Sequence, residues 1–209
     1  MCGIEGYAGE RQAASVLLEG LEKLEYRGYD SAGIAVSDHG TVRIEKTKGR
    51  LRNLREKLRK DGTPPGTVGI GHTRWATHGE PSDINSHPHT HGRVTLVHNG
   101  IIENERELRA AMEARGEHFV SETDTEVLAH LIDDYDQGDP IDAIIRAIGR
   151  VEGSYALGVL FSDIPDRIYA ARKDSPLIVG VGKGENFIAS DIPAILPYTN
   201  RYYLIGQQE

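Results

Sequence analysis

Cysteine is almost missing from this 209-residue chain, and the one present is Cys2. An intrachain disulfide and a thiolate zinc cluster are both excluded, and a reducing, cytoplasmic setting is the expectation. Bulky apolar side chains are also few: one tryptophan, three phenylalanines and two methionines. No segment approaches the about 18 uninterrupted apolar residues of a spanning helix, so no membrane is expected. Met1-Cys2-Gly3-Ile4-Glu5 lacks the basic region and apolar run of a signal peptide. A formal net charge of −8 argues against nucleic acid as a partner. With 38% apolar and 27% charged residues, the composition suits one globular domain with a sizeable core. No repeat, low-complexity tract or linker divides it, so residues 1–209 read as a single domain.

Hydrophobic periodicity sets out the elements. Residues 2–9 read as a strand, and Ala13, Ala14, Leu17, Leu18, Leu21 and Leu24 form a helical stripe within 11–26. Residues 32–37 and 41–47 form a strand pair around Asp38-His39-Gly40. Leu51, Leu54 and Leu58 mark a short helix, closed by Asp61-Gly62 and Pro64-Pro65-Gly66. The alternating charges from Arg52 to Lys60 are its solvated face. Strands at 67–72 and 93–98 are separated by a long polar loop, 73–92, whose length suggests a functional lid. Helices follow at 103–115, from Thr123 to about Gln137 with capping-box spacing to Glu126, and from Asp139-Pro140 to near Gly149. Strands at 154–162, 167–172, 176–181, 186–190 and 201–205 complete the chain. Helices between and after runs of antiparallel strands indicate a layered α+β domain, not a doubly wound sheet.

Position 2 gives the lone cysteine chemical meaning. Once Met1 is removed, its thiol stands beside a free α-amino group with an ordinary pKa of about 7.7–8.0, a base able to accept the thiol proton. Gly3 and Gly6 would let the backbone pass close to a ligand.

Six ordered segments carry a family likeness. They are Met1-Cys2-Gly3-Ile4, Leu24 to Gly33 (LEYRGYDSAG), Gly71 to Gly79 (GHTRWATHG), His98 to Asn104 (HNGIIEN), Ser121 to Val127 (SETDTEV) and Gly184 to Asp191 (GENFIASD). Together they resemble the class II glutamine amidotransferases, and within them the glutaminase half of the glucosamine-6-phosphate synthases. The resemblance spans essentially the whole chain. It implies the four-layer αββα sandwich of N-terminal-nucleophile hydrolases and hydrolysis of L-glutamine through a Cys2 thioester, with no cofactor and no metal. It further implies sugar-isomerase domains, outside this chain or on a partner, that bind fructose-6-phosphate and take up the ammonia.

Glutamine demands a cation for its carboxylate, an anion for its ammonium and donors for an oxyanion. Arg74 suits the carboxylate, since a guanidinium can hold it bidentately. Asp124 would meet the ammonium, as the matching aspartate does in the family, although an acid in a first helical turn also favours the helix dipole. Asn99-Gly100 reads by itself as a turn; by resemblance the Asn99 amide and Gly100 N–H form the oxyanion hole. By the same resemblance Trp75, Thr77 and His78 complete a segment that closes over glutamine, with a core role open for Trp75. His87, His89 and His91 alternate but show no carboxylate or thiolate nearby in sequence, so hydrogen bonding is expected of them and not metal binding. Glu5 departs from the family, whose members usually carry an apolar residue there; a buried carboxylate needs a partner such as Arg27, a proton, or solvent.

Two alternatives remain. An amidophosphoribosyltransferase glutaminase is disfavoured because that branch tends to have Tyr at the Trp75 position and Gln at Tyr29. A catalytically silent glutamine-binding module would bind without turnover.

Overall fold

A computed structural model describes residues 2–207; Met1, and with it the expected removal of Met1, lies outside the described residues, as do Gln208 and Glu209. Its eleven strands form two sheets. Strand β1 (Gly3–Ala8) is followed by α1 (Ala13–Leu24), the hairpin β2 (Ser31–Asp38) and β3 (Thr41–Lys48), α2 (Leu51–Asp61) and β4 (Val68–Arg74). Next come β5 (His89–His91), β6 (Val94–Ile102), α3 (Glu105–Glu113), α4 (Asp124–Tyr135) and α5 (Pro140–Ile148). The last five strands are β7 (Gly153–Phe161), β8 (Ile164–Lys173), β9 (Ile178–Val181), β10 (Asn186–Ala189) and β11 (Tyr202–Leu204). The larger sheet has the order β11-β9-β10-β1-β4-β2-β3 and the smaller β5-β6-β7-β8.

The layers follow from where the apolar stripes go. The α1 stripe is fully buried, and with Leu51, Leu54 and Leu58 of α2 it covers the outer face of the seven-stranded sheet. A second cluster, including Ile4, Ile70, Val97, Ala156 and Ile188, fills the space between the sheets. A third joins the four-stranded sheet to α3, α4 and α5 through Leu108, Val127, Leu128, Ile132 and Ile144. This is the four-layer αββα order that the resemblance implies. Asp139 caps α5 by accepting from the N–H groups of Ile141 and Asp142, with Pro140 at the first position.

Several expectations are corrected. The 73–92 loop is shorter, because β4 runs on to Arg74 and His89–His91 pair with β6. Residues 84–88 are tied down: Lys46 Nζ donates to the carbonyls of Ile84 (3.1 Å), Ser86 (2.8 Å) and Pro88 (3.2 Å). Asn99-Gly100 is no turn, since both lie inside β6, opposite Ala156 and Tyr155 of β7. The capping box also fails to form. Thr123 Oγ1 bonds Ser121 Oγ and His89 Nε2, while the Glu126 carboxylate accepts from the N–H groups of Val120 and Ser121. Gly3 and Gly6 serve packing, because a Cβ there would strike Thr73 and Leu24, or Ile188.

Glu5 is fully buried, and neither carboxylate oxygen has a hydrogen-bond partner. It points from β1 at α1, where Gly20 leaves it room; a Cβ at Gly20 would lie 2.6 Å from the Glu5 carboxyl carbon. Burial raises its pKa well above the ordinary carboxylate value, so the group is held neutral. Arg27 is not its partner. The Arg27 guanidinium donates to the Cys2 carbonyl (3.1 Å) and to Asp191 Oδ2 (3.1 Å).

Candidate active site

The amino-terminal strand, the end of β4, the middle of β6 and the start of α4 meet at a cavity of about 330 Å³. Cys2, Arg74, Trp75, Thr77, His78, Asn99, Gly100 and Asp124 all line it. The eight residues singled out in the sequence, scattered over more than half the chain, therefore share one site.

Cys2 precedes β1 and is half-buried. Its Sγ accepts from the Trp75 N–H at 3.1 Å. Burial raises the thiol pKa, only partly offset by that hydrogen bond, so the sulfur is a thiol at neutral pH. A base must take its proton during any attack.

Asn99 is oriented from behind. His72 Nε2 faces two acceptors, the His98 carbonyl (3.1 Å) and Asn99 Oδ1 (2.9 Å), so it must carry the proton. With its oxygen engaged, Asn99 turns its Nδ2 toward Cys2, where it donates to the Cys2 carbonyl at 2.9 Å. Gly100 adopts φ +133°, and a Cβ there would sit 2.1 Å from the Ser154 carbonyl oxygen. Glycine is thus required where the backbone borders the cavity.

Arg74 is 4% exposed. Its Nη2 donates to the carbonyls of His78 and Gly79, while Nη1 has no hydrogen-bond partner. Burial lowers its pKa, but a guanidinium stays charged. An unpaired nitrogen on a buried cation bordering a cavity is a site for an anion. Asp124 is buried as well, and one of its oxygens accepts from the Ile102 N–H at 2.9 Å. Arg74 and Asp124 set opposite charges on one cavity wall, matching the two ends of an α-amino acid.

Trp75 is half exposed and stands edge-on to Tyr29 at 5.5 Å, so it is not a core residue. Thr77 and His78 are exposed on the same rim, which Asp30 fastens by accepting from the Ala76 N–H.

Behind the cavity lies an array of buried imidazoles that the sequence did not single out as one. His72 stacks on His87 at 4.0 Å, and His87 meets His89 at 4.9 Å. His98 donates from Nε2 to the Ser154 carbonyl and accepts at Nδ1 from Thr125. Burial lowers the pKa of all four, to about 3 for His72 and His89, so the array is neutral. Only the alternation of His87 and His89 hinted at it; His72 and His98 come from other strands.

Comparison with known proteins shows the family. The glutamine amidotransferase domain family matches residues 72–197. The glutamine--fructose-6-phosphate aminotransferase (isomerizing) of Caldanaerobacter subterraneus subsp. tengcongensis is 60% identical over 100% of this chain and 34% of its own length. The Clostridium tetani protein of the same name gives the same identity and coverage. The chain thus spans about a third of the length of these curated relatives. Among solved structures, the glutamine phosphoribosylpyrophosphate amidotransferase of B. subtilis, complexed with ADP and GMP, is similar at TM-score 0.85 and 27% identity. That match covers 99% of this chain and 46% of the other. The chain belongs to the glutamine amidotransferase family, and its fold is that of the family's N-terminal-nucleophile members.

Proposed function

We propose that this chain hydrolyses L-glutamine to L-glutamate and ammonia, with Cys2 as nucleophile. One observation carries the reading: Cys2, Asn99 and the buried cation Arg74 line one cavity with Asp124. The Arg74 guanidinium holds the α-carboxylate and Asp124 the α-ammonium, which presents the side-chain amide to Cys2. Sγ bonds to the amide carbon, the thiol proton passes to the α-amine freed by loss of Met1, and the carbonyl electron pair moves onto oxygen. Asn99 Nδ2 and the Gly100 N–H donate to that oxyanion. Collapse of the intermediate breaks the carbon–nitrogen bond, and the returned proton lets ammonia leave. Water then cleaves the thioester, releasing glutamate and restoring the thiol. Trp75, Thr77 and His78 cover the site during the thioester's lifetime.

Residues 1–209 form the glutaminase unit of a longer cytoplasmic enzyme. Its sugar-isomerase domains convert fructose-6-phosphate with the released ammonia. The support is the name and length of the 60%-identical relatives, against 27% identity to the glutamine phosphoribosylpyrophosphate amidotransferase structure. A glutamine-mimicking diazoketone followed by intact-mass measurement tests the nucleophile. One adduct is expected on Met-free protein and none on Cys2→Ala, which also loses glutamate release. Unmodified Cys2 in folded, Met-free protein would favour a silent binding module and sink the proposal.

A further inference from the structure

His91, the last histidine of the alternating run, leaves the buried array and meets residues distant in sequence. At the end of β5 it stacks on His130 of α4, with ring centroids 3.6 Å apart. Glu117, from the segment joining α3 to α4, brings Oε2 to 3.1 Å from His130 Nδ1 and 3.6 Å from His91 Nε2. Asp133 Oδ2 lies 3.8 Å from the same His91 nitrogen. One ligand atom from each of His91, Glu117 and His130 falls within 4.8 Å of the others. His130 is 2% exposed, whereas His91 and Glu117 are about one-third exposed, so the cluster is anchored inside and open to solvent. None of these residues lines the glutamine cavity.

We propose that His91, Glu117 and His130 form a second site, for a divalent transition cation of the zinc type, with Asp133 or water as the fourth ligand. Two imidazole nitrogens and a carboxylate suit a borderline cation better than calcium or magnesium, which take oxygen shells. The far side of His130 has the matching arrangement. Its Nε2 faces Glu126 Oε1 at 3.9 Å. A carboxylate behind a ligating imidazole orients its ring. His130 Nδ1 and Glu117 Oε2 already meet at hydrogen-bond distance, 3.1 Å, and a bound ion would take the place of the proton between them. A metal ion binds in the plane of each imidazole, so the His91 ring turns out of the stack when the ion binds. It is free to do so because stacking and carboxylate contacts alone hold it. The bound ion would clamp β5 and the α3–α4 connection to α4, the helix whose first residue is Asp124.

Zinc ion titrated into chelator-treated Cys2→Ala protein tests the site, since that background removes the active-site thiol as a competing ligand. One equivalent should bind, and Tm should rise by about 5–10 °C at a hundredfold excess over Kd. His91→Ala and Glu117→Gln alter partly exposed positions, so both variants should fold, and each should weaken binding at least about tenfold. No zinc uptake by the folded protein, or uptake unchanged in both variants, would overturn the proposal.

Discussion

Arg74 and Glu5 lie on neighbouring strands of the seven-stranded sheet, both are buried, and both carry polar atoms without a hydrogen-bond partner. They differ in where their side chains sit. Arg74 lines an open cavity together with Asp124, and two backbone carbonyls hold its Nη2. Glu5 faces the closed core under α1, where no ligand can reach, and it survives by staying neutral. An unpaired buried group therefore signals ligand binding only where a cavity adjoins it; elsewhere it lowers stability. His72 stands between the two: Nε2 works on Asn99, while buried Nδ1 has no hydrogen-bond partner.

Substitution should separate these cases. The largest effect is expected from Arg74→Ala, which should lower kcat/KM for glutamine by about 10²–10³-fold, mostly through KM, with little change in Tm. Steady-state kinetics with a melting curve decide it, and loss of stability with retained affinity would put Arg74 beside Glu5. His72→Phe keeps the ring's stacking but frees Asn99 to rotate. It should cut kcat by roughly tenfold to a hundredfold while KM holds, as befits a positioning residue. A rise in KM alone would break that assignment. Glu5→Gln should leave activity intact and change only stability. The folded pKa of Glu5 is raised, so wild type keeps full stability below the unfolded pKa of about 4.5 and loses it as pH rises through the folded value. The variant should therefore melt at a temperature near wild type's at pH 4 and above it at pH 7, by an amount worth about 1–3 kcal/mol. A gap that does not widen with pH would mean Glu5 is ionised and paired.

Much of the site was readable because its groups are chemically distinctive and fall in short segments: a lone thiol at position 2, an arginine after a strand, an acid opening a helix. The His-Pro-His-Thr-His run shows where that reading stops. Two of its imidazoles turn inward to stack behind Asn99, while the third meets carboxylates from two other segments. Sequence spacing could not reveal Glu117 or Asp133 as neighbours of His91, because the α3–α4 connection and the packing of α4 against β5 bring them there. The capping-box pattern at Thr123 misled for a similar reason, since a tertiary partner, His89, took the hydroxyl that a cap would have used.

Sequence by itself determined the elements and the layering, because periodic burial acts along the chain and a stripe of leucines has few ways to escape water. It also singled out the proposed nucleophile, since Cys2 carries the one thiol of the chain. Tertiary structure alone decided which nitrogen of His72 carries the proton, which way the Asn99 amide points, and which of two buried ionisable residues lines a cavity. Those outcomes depend on groups from β1, β4, β6 and α4 arriving within 3 or 4 Å of one another, a distance scale on which order along the chain carries no information.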